Sequence, residues 1–460
     1  MLIRFQLENF LSFNQKQNFS MIASNLKNKN KHVFEKNKVR LLNMSAIYGA
    51  NASGKTNIVK AIDLFRFITT KKVPTDISKM YFRENSENEQ KPTIFEVEFI
   101  KNGSIYAFGI QLSLNNQKIL SEWLYKLFPN NDDEEMIYER ELVDEEYTVK
   151  YNEHTIIGED ESRLRFVIAD MKTNTTTLLL SEMNRNKNID IDSSLYFFEE
   201  IYDWFQNDLK IYFPNDHITK FDYIIGKNKS GNKELNHIIS LFDTGISSVS
   251  LERISKDELG EVFPKHILED IINDMRQIEI KSKKRPRSNS VLRSQNDFFQ
   301  ISNITNDNYD VETIKLRHGF NKTTYDFREE SDGTRRLFDL LDILLNSDTN
   351  KIFIVDELDR SLHPNLTYKF VELFYEVALE KNIQLIFTTH ESKIMDLNLV
   401  RQDEIWFVEK NRMNESELYS LDSFKERYDK RIEKAYLEGR YGAIPLFNSF
   451  ESFINRESED

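Results

Sequence analysis

The chain has no cysteine among its 460 residues, so disulfides, thiolate metal centres and cysteine nucleophiles are excluded together. Its eight histidines never fall into HxH or HExxH pairs, which removes the usual histidine-built metal sites. Long hydrophobic runs are missing as well. The apolar stretches at 352–355 and 178–180 fall far short of the roughly 20 residues that a membrane helix needs, so no membrane partner is expected. An excess of positive charge is also lacking: 62 Lys and Arg stand against 76 Asp and Glu, a net charge of -14. Phosphate binding needs clustered cations, so a whole-surface nucleic-acid binder is disfavoured, while a local basic patch remains allowed. The opening MLIRFQLENFLSF alternates apolar and polar residues where an export signal would join a basic region to an apolar core. It reads as a strand, and a cytoplasmic protein is expected.

What is present is a core-forming chain, 39% apolar and long enough for more than one domain. Two strands are expected at 2–8 and 17–22. They lead into a short apolar strand, MSAIY at 44–48, then the loop GANASGKT, then a stretch with helical apolar spacing through Ile58, Ile62, Phe65 and Ile68. This strand, glycine loop and helix fit GxxxxGK[ST]. Gly49, Asn51, Ala52, Ser53 and Gly54 are expected to turn backbone N–H groups around phosphates. Lys55 then reaches the β- and γ-phosphates, and Thr56 offers its hydroxyl to Mg²⁺. ATP and Mg²⁺ are therefore the expected cofactors.

From 93 to 127 the pattern changes to β-branched and aromatic alternation about Asn102-Gly103, a strong hairpin signal, and a second hairpin is expected over 136–151. Between about 184 and 296 helical spacing dominates, with candidate helices at 194–209, 233–241 and 265–276. This region reads as an insertion ending in the basic stretch KSKKRPRSNSVLRS. Strands at 298–304, 311–327, 351–355, 384–388 and 404–409 then alternate with helices at 334–345 and 365–379, which implies a mostly parallel sheet covered on both faces.

The strand 352–355 runs directly into Asp356 and Glu357, at the carboxyl end where open α/β sheets bind ligands. An apolar strand ending in acids is also what an ordinary strand leaving for solvent looks like. The P-loop upstream favours the catalytic reading, in which Asp356 holds the metal and Glu357 orients or deprotonates the attacking water. His390 follows the strand QLIFTT and is placed to meet a γ-phosphate, although a lone histidine is also a common structural residue. The turn Ser331-Asp332-Gly333-Thr334 opens a helix; taken alone it is a helix cap whose N–H groups attract anions.

With these elements in this order the chain resembles the ABC-type ATPase heads of the SMC and OLD-like group. The resemblance covers roughly 1–182 and 296–460. GANASGKT resembles the Walker A motif, KIFIVDE the Walker B motif, Ser331 to Thr334 the signature loop, SLHP at 361–364 the D-loop, and His390 the switch histidine. The fold implied is an α/β P-loop NTPase: an ABC-type head with an antiparallel β subdomain and a mostly helical insertion. Its lobes would be 1–182 and 296–460, with the insertion at 183–295. The resemblance also implies that Ser331, Gly333 and Thr334 contact the nucleotide held by a second copy, so that a homodimer or larger homo-oligomer closes over ATP. Two departures stand out. Asp332 occupies a glycine position of the signature, and a glutamine loop is expected within TTTLLLSEMN, where Ser181 stands instead.

A narrower likeness lies in ESDGTRRL, DELDRSLHP, THESKIMD, QDEIWFVEK and KAYLEGRYGAIP. These resemble the stand-alone prokaryotic AAA/ABC ATPases of the RloA or AriA type, often encoded beside a Toprim-like or other effector gene in anti-phage defence loci. The resemblance implies ATP-dependent control of a separate effector, a nuclease by preference. The alternative is an SMC-like DNA-binding or repair ATPase contacting DNA through Lys281, Lys283, Lys284, Arg285 and Arg287, although a solvated charge run is the commoner meaning of such a stretch. An OLD-type nuclease acting alone is disfavoured, because the stretch after His390 is too short for a Toprim domain.

Overall fold

The computed structural model describes residues 1–26, 29–129, 133–185, 188–216, 229–281, 290–293, 297–302, 308–319, 323–345, 348–424 and 431–444. They form two compact units. The first comprises Met1–Pro214, Asp348–Leu358 and Tyr375–Asp460, and the second Asn215–Ser347 and Asp359–Phe374.

The first unit carries a six-stranded sheet in the spatial order Leu209–Tyr212, Ile352–Val355, Gln384–Thr388, Met44–Tyr48, Ile405–Lys410 and Ser416–Ser420. The first five strands run parallel and the last is antiparallel. The three central strands are buried at every position, which is why they read as continuous apolar runs. Parallel pairing puts their carboxyl ends on one edge, from which the Gly49 loop, the Asp356-Glu357 pair and His390 all emerge. Beside this sheet lies a seven-stranded antiparallel one, running from Glu146–Tyr151 through Asp133–Val143, Lys118–Phe128, Ser104–Ser113, Thr93–Lys101 and Leu2–Glu8 to Gln17–Ser20. Both expected hairpins are present, turning at Asn102-Gly103 and at Asp144-Glu145.

One core joins the two sheets to the helix Lys55–Thr70. Phe65 of that helix stacks on Phe108 with ring centroids 5.6 Å apart and meets Phe95 and Phe205 at 5.9 and 5.2 Å. Burying an aromatic of this kind is worth several kcal/mol: its truncation to alanine typically costs about 3–5 kcal/mol. The opposite face carries Lys60, exposed, and the ion pair Arg66–Asp63 at 2.7 Å.

Residues 183–214, expected to open the insertion, pack in this first unit. The helix expected over 194–209 covers Tyr196–Asp203, continues as a wider turn over Trp204–Asp208, and gives way to the strand Leu209–Tyr212 on the edge of the parallel sheet. Phe198, Ile201, Trp204 and Phe205 are buried in the shared core, Trp204 lying 4.3 Å from Phe99, so tertiary packing decides where this segment belongs.

The second unit holds the sheet Ile246–Arg253, Asp310–His318, Phe298–Ser302 and Ser290–Arg293, with Thr324–Asp326 paired to Asp310–His318. Its helices are Lys229–Ser240, Lys256–Val262, Lys265–Lys281 and Asp332–Leu345, together with the first turns of Pro364–Lys381. Besides Leu209–Tyr212, the region expected to be mostly helical thus contributes two strands to this second sheet, Ile246–Arg253 and Ser290–Arg293. The basic stretch lies outside the described residues from 282 to 289, which includes Lys283, Lys284, Arg285 and Arg287; Lys281 ends a helix. Among the described residues no helix is long and apolar enough to cross a membrane.

Candidate functional site

The loop between Tyr48 and Lys55 is shaped by two left-handed residues, Ala52 at φ 61° and Gly54 at φ 117°. Gly54 has to be glycine, because a Cβ there would fall within 3 Å of the hydroxyls of Ser416 and Ser12. Gly49 is constrained in another way: a Cβ would collide with the carbonyl of Val408 on the neighbouring strand. Gly54 caps the helix Lys55–Thr70 without any side-chain hydrogen bond, so the first-turn N–H groups keep no competing side-chain acceptor. That is the arrangement an incoming phosphate requires. Asn51 and Ala52 are exposed at the tip, whereas Ser53 is buried with an unpartnered Oγ.

Lys55 is buried at the start of the helix, and its ammonium donates to the loop carbonyls of Gly49 at 2.8 Å and Ala50 at 3.0 Å. The next residue turns toward the acids. Thr56 Oγ1 donates to Asp356 Oδ2 at 2.9 Å, and Thr388 Oγ1 donates to Asp356 Oδ1 at 2.6 Å. Asp356 is 1% exposed, and its carboxylate is held by one hydroxyl from the first turn of the helix Lys55–Thr70 and one from the end of the neighbouring strand Gln384–Thr388. Thr388 does a second thing: its Oγ1 accepts the amide of Glu357 at 2.8 Å, while its carbonyl accepts the amide of Leu358 at 3.0 Å. Glu357 takes a left-handed conformation, φ 50°, which for a residue of its kind costs on the order of 1–3 kcal/mol and persists only where neighbours enforce it. His390 is exposed, two residues beyond Thr388 on the same edge.

Behind the loop stands a bracket that sequence reasoning did not find. Asn57 Nδ2 donates to Ser12 Oγ at 2.8 Å. Ser416 Oγ lies 2.7 Å from Ser12 Oγ and donates to the carbonyl of Ser53 at 2.5 Å. Ser12 belongs to a tight turn in which Asn9 and Leu11 are left-handed and Phe10 and Phe13 are fully buried. The segment NFLSF, two phenylalanines around a serine, is the signal that could have been weighed. Ser416 carries none, since only the pairing of Ile405–Lys410 with Ser416–Ser420 brings it here.

Ser181 lies elsewhere. Its hydroxyl donates to the carbonyl of Thr69 at 2.8 Å, at the far end of the P-loop helix, about 20 Å from Lys55 at 1.5 Å per residue. It takes no part in this site.

The turn Ser331–Thr334, expected from the resemblance to act as a signature loop, lies in the second unit. Ser331 Oγ accepts the amide of Thr334 at 3.1 Å and shares a hydrogen bond with Thr334 Oγ1 at 2.9 Å, capping the helix Asp332–Leu345. Gly333 packs against the carbonyl of Ser361, which a Cβ would strike, and Ser361 is itself left-handed at φ 62°. Ser331, Gly333, Thr334, Ser361, His363 and Lys369 line a cavity of about 840 Å³. The N-termini of two long helices, Asp332–Leu345 and Pro364–Lys381, contribute to its wall.

The donor set at Thr56 and Asp356 is all oxygen, which suits a hard divalent ion. Among the described residues no group of three or more His, Cys, Asp or Glu side chains gathers as a metal cage. One carboxylate and one hydroxyl, completed by phosphate oxygens and water, is the way Mg²⁺ is commonly held.

Comparison with known proteins comes in three parts. The family model described as "AAA domain, putative AbiEii toxin, Type IV TA system" matches residues 44–396. Among solved structures, the Smc head bound to the C-winged helix domain of ScpA is 14% identical, with 91% of this chain and 97% of that one covered and a TM-score of 0.42. The SMC head domain from Thermotoga maritima is 12% identical over 91% and 98%, with a TM-score of 0.37. The Smc head with an extended coiled coil, bound to the C-terminal domain of ScpA derived from Pyrococcus furiosus, is 15% identical over 95% and 99%, with a TM-score of 0.39. No curated protein matches this sequence.

Proposed function

The chain belongs to this family of AAA domains, and on that premise we propose that it is a Mg-ATP-dependent ATPase whose closure with a second copy controls a separate effector. The observation that carries the reading is the convergence of Lys55, Thr56, Asp356 and Thr388 at one sheet edge. The ammonium of Lys55 exchanges its two loop carbonyls for β- and γ-phosphate oxygens. Thr56 and Asp356 hold Mg²⁺, which when bound supplies positive charge to the phosphate oxygens. Glu357, whose backbone is pinned by Thr388, orients the attacking water and accepts its proton. His390, from the adjacent strand end, donates a hydrogen bond to the terminal phosphate. The turn Ser331-Gly333-Thr334 of a second copy completes the site.

The effector reading follows from the family and from the narrower likeness to defence ATPases. The partner is expected to be a nuclease, Toprim-like or of another kind, encoded beside this gene. Co-expression with the neighbouring gene product tests it: association that changes with ATP supports the reading, and two proteins that never associate with or without ATP refute it. The alternative, an SMC-like DNA-binding ATPase, rests on the basic stretch of the sequence. ATPase stimulated by duplex DNA with a steep salt dependence would favour it.

A further inference from the structure

Asp332 and Arg335 form an ion pair across the first turn of the signature helix, and the guanidinium of Arg335 also donates to the carbonyl of Arg328 at 3.1 Å. The partners are unequally placed. The Asp332 side chain is 79% exposed and lines the cavity beside Ser331 and Gly333, whereas that of Arg335 is 17% exposed. A cation is thus stored next to an anion-seeking helix N-terminus, and a carboxylate occupies its guanidinium.

These charges oppose one another when phosphate approaches. The N-terminus of the helix attracts an anion through its N–H groups and dipole. Asp332 repels it. A terminal phosphate carries more charge than a carboxylate and presents three oxygens to the planar guanidinium, so it competes well for the same arginine. We propose that Arg335 is handed from Asp332 to the terminal phosphate of the nucleotide held by a second copy. Asp332 is then a latch that keeps the arginine back until an ATP-loaded partner arrives. This rests on the composite-site reading above. The exchange makes closure selective for ATP over ADP, because ADP lacks the group that displaces the carboxylate.

The competing account is an ordinary pair three residues apart with an acid on the first turn, which would stabilise this helix alone. The two accounts predict different dimers. In a Glu357→Gln background, dimer dissociation constants are measured by sedimentation with Mg-ATP and with Mg-ADP, while ATP affinity of the chain's own P-loop and circular dichroism report folding. Arg335→Ala should weaken the ATP dimer at least tenfold, with Arg335→Lys intermediate. Asp332→Asn should tighten it several-fold and admit a dimer with ADP. The double variant should match Arg335→Ala alone. Without the Glu357 change, a mixture of Lys55→Ala and Arg335→Ala chains should regain turnover that neither has alone, since each supplies the half the other lacks.

The latch is overturned if Arg335→Ala dimerises like its parent, if Asp332→Asn weakens the dimer, or if the two effects simply add. Failure of the Glu357→Gln chain itself to dimerise with ATP would instead remove the composite site, and the latch with it.

Discussion

The hydroxyl of Thr388 stands 2.6 Å from Oδ1 of the buried Asp356 and takes the amide of Glu357 on its other side. One side chain thereby sets both carboxylates at the end of the Ile352–Val355 strand. Thr388→Val keeps the shape and removes the hydroxyl, leaving a buried carboxylate oxygen and an N–H group without their partner. The expected cost is about 1–3 kcal/mol, read as a lower denaturant midpoint. ATPase turnover should fall at least tenfold, with ATP affinity changed much less because Lys55 and its loop are untouched.

Glu357 combines strain with function. Glu357→Gln should keep ATP, lose hydrolysis and accumulate as a closed dimer, which sedimentation with Mg-ATP would reveal. Glu357→Gly should lose hydrolysis as well, yet raise the denaturant midpoint, since glycine adopts φ 50° without the steric penalty. Parental turnover in Glu357→Gln would mean that another group orients the water.

The loop makes a sharper demand. Lys55→Ala should abolish nucleotide binding or turnover in an otherwise folded chain. Gly54→Ala should also lose nucleotide, and destabilise by about 1–3 kcal/mol, because a side chain at φ 117° meets both Ser12 and Ser416. Titration with a fluorescent ATP analogue reads the loss of nucleotide, and thermal melting separates the two variants: Lys55→Ala, which gives up only the bonds to the carbonyls of Gly49 and Ala50, should melt closer to the parent than Gly54→Ala.

Much of this was legible in the sequence where the signal is local. GANASGKT, the acids after an apolar strand and the Asn102-Gly103 hairpin each specify their structure within about ten residues. What was not legible depends on partners far away. Leu209–Tyr212 is four residues long and continues a helical pattern, and only its pairing with Ile352–Val355 makes it a strand. Thr388 was visible at the end of QLIFTT, but its bond to Asp356 exists only because the two strands are neighbours in the sheet. Ser12 and Ser416 lie 404 positions apart. The stretch TTTLLLSEMN, where a glutamine loop is expected from motif order, instead sets Ser181 under the far end of the P-loop helix, a placement that only the fold decides.

Ser331→Arg tests closure from the side of the second unit. A bulky cation at the cap replaces the hydroxyl that accepts the Thr334 amide and crowds the cavity. Turnover should be lost while ATP remains bound to the chain's own P-loop. Normal turnover by a strict monomer would contradict the composite site.

Glu122 tests whether the support behind the P-loop helix is separable from its phosphate end. Its buried carboxylate accepts the amides of Leu179 and Leu180 at 2.8 and 3.0 Å and the hydroxyl of Tyr138 at 2.7 Å, with the guanidinium of Arg140 at 3.6 Å. Arg140 in turn donates to the carbonyls of Thr177, Met171 and Asn174. The pair therefore holds the helix Leu179–Asn184, whose Ser181 ties to Thr69. Glu122→Gln turns one acceptor into a donor that faces an N–H or O–H group and leaves Arg140 without a counter-charge. The expected loss is about 3–5 kcal/mol, the scale of breaking a buried ion pair from one side. Because that damage lies about 20 Å along the helix from Lys55, ATP affinity of the folded fraction should stay within about twofold of the parent. A large fall in affinity at a temperature where the variant is fully folded would show that the two ends of the helix are coupled.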